Sequence, residues 1–174
     1  MSESVLVVLC GLPATGKSTV ARELLREIQF SYVRIDSIEQ ALRESGEMGS
    51  DGVQGAGYEV AYAVVGDLLR SGSRVLVECV NPLALTREAW QKVAANCHTP
   101  AVEVELFCSD KAKHKERAET RVVDVSGLSL PEWDAIQSRE YDEWDRAILR
   151  IDTSATSPKE AAHRILASLR STSD

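Results

Sequence analysis

The chain has 174 residues, 44% of them hydrophobic and 27% charged, with a mean hydropathy of -0.17. This is the composition of a soluble globular protein, long enough for one substantial core and short for two, so a single domain over residues 1–174 is expected. A formal net charge of -7 disfavours a nucleic-acid partner, whose phosphates must be held through many basic contacts, and favours a small-molecule substrate.

The first predicted element is a strand from Val5 to Cys10 (VLVVLC), apolar throughout and therefore buried on both faces. It is too short to span a bilayer and follows no basic leader, so a cytoplasmic protein with no membrane partner is expected. Next comes Gly11-Leu12-Pro13-Ala14-Thr15-Gly16-Lys17-Ser18, which satisfies GxxxxGK[ST], with Thr19 following. A helix over Ser18 to Ile28 carries Val20, Ala21, Leu24, Leu25 and Ile28 on one face. A buried strand, a glycine-bounded turn and an amphipathic helix form the setting in which backbone N–H groups converge on an anion. Gly11 through Thr19 are thus expected to cradle the phosphates of ATP, with Lys17 charging the β- and γ-phosphates and the Ser18 hydroxyl on Mg2+.

Further strands are predicted at Tyr32 to Ile35, Arg74 to Val77, Val102 to Cys108 and Ala147 to Ile151. Helices are predicted at Ser37 to Glu44, Tyr58 to Leu69, and Thr86 to Ala95 with Thr86 as its N-cap. Ser157-Pro158-Lys159-Glu160 opens the last helix, with Ser157 at the N-cap and Pro158 at the first helical position. Alternating β and α elements with continuous apolar strands imply an α/β fold, a parallel sheet covered by helices. The glycine-rich stretch Gly46 to Gly57 reads as a surface connection or as a flap over substrate. Trp133, Ile136, Tyr141, Trp144 and Ile148 fall along a helical stripe, expected to be core. Cys10, Cys79, Cys97 and Cys108 have no ligand spacing and are expected to be reduced packing residues.

Several charged residues are candidates for chemistry. Lys113, Arg117 and Arg121 recur every four residues along one helical stripe, with His114 adjacent; His114 is expected at the surface, since no partner acid lies near it in sequence. Arg43 follows Asp36 by two helical turns and is a candidate for an anionic group on an acceptor, as is Arg87 after the "CVNP" turn.

Through "GLPATGKST", "RIDSIEQALR", "RVLVECVNP", "CSDKAKHKERAETR" and "REYDEWD" the chain resembles the small P-loop kinases of the AAA_33-type group. Wider relatives include zeta-toxin kinases, chloramphenicol phosphotransferase, gluconate kinase and adenylylsulfate kinase. The resemblance implies a P-loop NTPase three-layer αβα sandwich, with a five-stranded parallel sheet in the order 2-3-1-4-5 and a helical lid over about residues 110–130. It implies Asp36 as the base that prepares the acceptor, Arg117 and Arg121 as lid charges on the transferring phosphoryl group, and Thr153 or Ser154 beside adenine. Glu78 takes the place where relatives commonly carry an aspartate, so it is expected either to serve the metal or to bind substrate. The adenylylsulfate kinase label does not carry over, because "IDSIEQALR" lacks that family's D-G-D spacing.

The expected function is an ATP- and Mg2+-dependent kinase acting on a small-molecule hydroxyl or phosphate acceptor. Lys17, Asp36, Arg117 and Arg121 are its catalytic set; Asp36, Arg43, Glu78 and Arg87 bind substrate, and Ser18 and Glu78 the metal. The alternatives are a nucleotide-dependent ATPase or switch acting through a protein partner, and a toxin-type or RNA-end kinase, the last disfavoured by the acidic charge.

Overall fold

The computed structural model describes residues 4–48 and 52–171. Strand β1 (Val5–Cys10) lies at the centre of a parallel sheet, between β3 (Arg74–Glu78) and β4 (Ala101–Phe107). Strand β2 (Ser31–Arg34) adds beyond β3 and β5 (Leu149–Asp152) beyond β4, giving the expected order β2-β3-β1-β4-β5. The register sets Leu9 opposite both Glu78 and Val104, so the end of β1 that enters the glycine-bounded turn lies beside Glu78.

Successive strand residues face opposite sides, and β1 divides accordingly. Val7 and Leu9 meet α1 (Lys17–Glu27) and α7 (Pro158–Ser171), through Val20, Ala21, Leu24, Ala161, Ala162 and Ile165. Leu6, Val8 and Cys10 meet α3 (Ala56–Arg70) and α4 (Ala84–Asn96), through Ala61, Val65, Leu69, Trp90 and Ala94. Helix α2 (Ile35–Ser45) lies against α3, and α5 (Lys111–Thr120) against the short α6 (Trp133–Gln137). The cysteines are free, Cys10 and Cys79 within the core. Among the described residues, no helix is long and apolar enough to cross a membrane.

The expected strands are present to within two residues of their predicted ends. Ser157 caps α7, its hydroxyl accepting from the Glu160 amide at 3.2 Å. Three local expectations are corrected. Asp36 does not stand between the predicted strand and helix: β2 stops at Arg34 and passes directly into α2, which places Asp36 in the first helical turn, where a carboxylate meets the positive end of the helix dipole. Thr86 does not cap α4, which begins earlier, at Ala84; its hydroxyl turns back onto the Leu83 carbonyl at 2.9 Å, and the Ala84 amide is taken at 2.7 Å by Asp142. In the glycine-rich stretch, Val53 is buried and α3 starts at Ala56; residues 49–51 lie outside the described residues.

The aromatic stripe is the third correction, because the helix ends at Gln137. The chain beyond it spends its polar backbone on Arg87. That guanidinium donates to the carbonyls of Asn81 (3.1 Å), Pro82 (3.2 Å), Asp142 (2.8 Å) and Glu143 (3.0 Å) and lies 3.9 Å from the centre of the Trp144 ring. Arg87 is 1% exposed, so it staples two loops together and does not reach a ligand, contrary to its expected role at an acceptor. Arg87→Met keeps much of the stem and loses every donor, leaving buried carbonyls unpaired; it is expected to cost roughly 3 kcal/mol, read as a lower urea midpoint at unchanged m-value.

Candidate active site

The turn between β1 and α1 is held open by hydrogen bonds to its own carbonyl groups. Gly11 has φ 139°, and a Cβ there would stand 2.1 Å from the Leu106 carbonyl oxygen, so this position admits glycine only. Lys17 folds back into the turn and its Nζ donates to the carbonyls of Gly11 at 2.8 Å and Leu12 at 2.9 Å. The Thr15 hydroxyl also donates to Leu12, at 2.9 Å. Lys17 is only 8% exposed, and burial pulls its pKa below the ordinary lysine value, with Glu78 and Asp36 opposing. A buried ammonium held by neutral carbonyls is poised to accept an anion.

Ser18, at the start of α1, donates its hydroxyl to Glu78 Oε1 at 2.6 Å. The other carboxylate oxygen accepts from the Tyr32 hydroxyl and lies 3.8 Å from Arg34 Nε. Glu78 is therefore buried with both oxygens engaged. A hydroxyl beside a carboxylate suits a hard cation with oxygen ligands. Among the described residues no cluster of three or more His, Cys, Asp or Glu could hold a metal by itself. A magnesium ion at this place would take one hydroxyl, at most one carboxylate, and otherwise phosphate and water oxygens, which is its usual manner of binding.

Both features open into one cavity of about 880 Å³, which also takes in Asp36, Glu39, Arg43, Arg117, Arg121 and Arg139. Of the expected site residues, the structure brings Lys17, Ser18, Asp36, Arg43, Glu78, Arg117 and Arg121 together here and leaves out Arg87. The two expected lid arginines differ. Arg117 is engaged, donating to the Thr153 hydroxyl and carbonyl, each at 2.9 Å. Arg121 keeps Nε and Nη2 buried without a hydrogen-bond partner; burial pulls its pKa down, and Asp36 and Asp124 pull it up. Thr153, expected beside adenine, also lies with its hydroxyl 2.8 Å from the Thr15 carbonyl, so Arg117 reaches the phosphate turn through it.

Four participants were not anticipated in their places. His114 is 5% exposed rather than at the surface; its Nε2 donates to the Pro13 carbonyl at 2.8 Å, and Trp133 stacks edge-on against the ring. Its partner stands 101 residues away, beyond any local sequence signal, although the shared face with Arg117 was visible. Arg34 clasps Asp124 with two bonds, at 3.0 and 3.1 Å, which ties the segment after α5 to the end of β2. Arg139 lines the cavity from beyond α6.

Residues 6–139 match the family model described as AAA domain, AAA_33. The chain belongs to the AAA_33 family. Among solved structures, this AAA_33 chain is similar to a candidate kinase from Chloroflexus aurantiacus J-10-fl, at 17% identity, TM-score 0.75, and coverage of 98% of this chain and 97% of that one. It is similar to the Mycobacterium tuberculosis APS kinase CysC in complex with AMPPNP and APS, at 23% identity, TM-score 0.72, and coverage of 97% and 98%. A third is a gluconokinase from Sinorhizobium meliloti 1021, at 18% identity, TM-score 0.63, and coverage of 99% and 98%. These likenesses establish the P-loop NTPase fold. No curated protein matches the sequence.

His114 holds the AAA_33 phosphate turn from the side of α5, and its role separates from mere packing by chemistry. His114→Phe keeps the stack on Trp133 and loses the donor, and is expected to raise the Kd for ATP about tenfold in calorimetric titration. His114→Gln restores an N–H at similar reach and is expected to stay within about threefold of the parent.

Proposed function

We propose that this chain is an ATP- and Mg2+-dependent phosphotransferase that moves the γ-phosphate of ATP to a hydroxyl group of a small acceptor. The observation that carries this reading is a single cavity that gathers the glycine-bounded turn, Lys17 and Ser18 with the Asp36 carboxylate and the unpaired guanidinium nitrogens of Arg121. Nucleotide complexes of similar structures, AMPPNP in the APS kinase and ADP-AlF3 in Chaetomium thermophilum Kti12, support a nucleotide donor at this turn.

Each residue then has a defined task. Lys17 leaves its carbonyl partners for the β- and γ-phosphates and keeps the charge of the transferring group neutralised. Ser18, backed by Glu78, would hold a magnesium ion, which would supply Lewis-acid charge to the phosphate oxygens. Asp36 accepts the proton of the acceptor hydroxyl as that oxygen forms its bond to phosphorus and the bond to the ADP leaving oxygen breaks. Arg121 keeps Nε and Nη2 buried without a partner, so its charge can meet the phosphoryl oxygens with little reorganisation. Arg117 stays on Thr153, bracing the turn from which the phosphate contacts come.

The test is acceptor-stimulated ADP release across a panel of small hydroxylated metabolites. Lys17→Ala is expected to abolish ATP turnover with the fold intact by circular dichroism. Asp36→Asn is expected to bind ATP as the parent does yet lose transfer by about a hundredfold or more. Arg121→Gln is expected to lower kcat by about a hundredfold with ATP affinity little changed, because its contact is made to charge that develops during transfer.

A further inference from the structure

Glu78 is 6% exposed at the carboxyl end of β3, and its two oxygens depend on few donors. Oε1 accepts from Ser18 at 2.6 Å and Oε2 from the Tyr32 hydroxyl. Among the described residues no third hydrogen-bond donor reaches either oxygen: Arg34 Nε, 3.8 Å from Oε2, is at ion-pair distance and too far for a hydrogen bond. The strand register explains how Tyr32 arrives here. Tyr32 pairs with Leu76 and Arg34 with Glu78, and residues two apart in a strand share a face. Tyr32 and Leu76 pack into the same part of the core, on the α1 side of the sheet, and the phenol reaches forward to the acid two residues beyond Leu76. A phenylalanine would pack alike and offer Oε2 nothing.

Resting on the reading that Ser18 and Glu78 would hold magnesium, we propose that Tyr32 is a positioning residue for the metal: its O–H bond to Oε2 fixes the Glu78 carboxylate, which in turn aims the Ser18 oxygen at the cation. The donor inventory supports this. A carboxylate only accepts, so Ser18 spends its single proton on Oε1 and its oxygen keeps lone pairs for a cation. That arrangement holds while the plane of the carboxylate is fixed, and the bond that pins the far oxygen is the one from Tyr32. Tyr32 is not among the residues lining the cavity, so it acts through Glu78 and not on the nucleotide. Partners that orient a metal ligand from behind are commonly worth about tenfold or more in metal affinity. Arg34 is a poorer probe of the same acid, because it also holds Asp124.

The experiment is calorimetric titration of the full chain with β,γ-imido-ATP, once in excess magnesium chloride and once in EDTA at matched ionic strength. The ratio of the two Kd values reads the metal, and the EDTA value reads the glycine-bounded turn. Tyr32→Phe keeps the ring in its packing; it is expected to lose at least about fivefold of the magnesium gain, with the EDTA Kd within about twofold of the parent. In a Glu78→Gln background the same substitution is expected to change the ratio by less than about twofold, because the route through the acid is already cut. An undiminished magnesium gain in Tyr32→Phe overturns the proposal, as does an equal weakening in both media, which would mark Tyr32 as packing only. A full loss on top of Glu78→Gln overturns it too. No magnesium gain in the parent would remove the metal reading and this one with it. Absence of acceptor-stimulated ADP release, with the Tyr32→Phe effect as expected, would remove the phosphotransfer reading alone.

Discussion

Lys17 carries an ammonium to the end of the central strand, where little water reaches it, and much of the surrounding architecture serves to make that tolerable. A buried charge without partners costs several kcal/mol, and the chain meets the cost with carbonyl oxygens from Gly11 and Leu12. Those carbonyls converge because the turn doubles back at Gly11, where a side chain would strike β4. Neutral carbonyls are weaker partners than an anion, so the free protein holds the lysine in a state that a phosphate improves. The turn thus carries a charge that folding leaves only partly compensated.

The turn is braced from the strand β4 side by α5, through two separate routes. His114 takes the Pro13 carbonyl directly, and Arg117 takes Thr153, whose hydroxyl lies on the Thr15 carbonyl. The expected lid therefore divides. Helix α5 belongs to the phosphate turn, whereas the segment after it, from Arg121 onward, lies over the cavity and is tied to the opposite edge of the sheet by Asp124 on Arg34. That second tie is exposed and salt-sensitive; the first is buried. Helix α5 thus both steadies the glycine-bounded turn and ends at Arg121, which fixes the position of that guanidinium relative to the turn.

Much of this frame was legible because it is written locally. A continuous apolar strand, a GxxxxGK[ST] turn and an amphipathic helix are contiguous, and each strand announces itself over a few residues. Lys17, Ser18, Asp36 and Glu78 follow from that frame, since they stand at or just beyond the carboxyl ends of adjacent strands in a parallel sheet, where such folds gather their ligands. What was not legible depends on distant partners. Arg87 looked like a free cation after a turn, but backbone carbonyls 55 and 56 residues away claim it. The stretch that offers those carbonyls, residues 138–148, does not continue as the helix its aromatic spacing proposes. Periodicity reports which residues can share a face; it is silent on whether another element offers the backbone better hydrogen bonds.

Glu78 joins several parts of this site. Its side chain reaches Ser18 with one oxygen and Tyr32 with the other, and lies within ion-pair distance of Arg34. Arg34 in turn holds Asp124, so an unbroken chain of polar contacts runs from the serine at the start of α1 to the segment over the cavity. Any ligand that draws the Ser18 hydroxyl away leaves a buried carboxylate short of a donor, and Tyr32 and Arg34 must answer for it. Ser18 and the hold on the covering segment are thus linked through a single buried acid. This linkage follows from satisfying each polar group in turn, and it requires no contact between the nucleotide end and the segment itself.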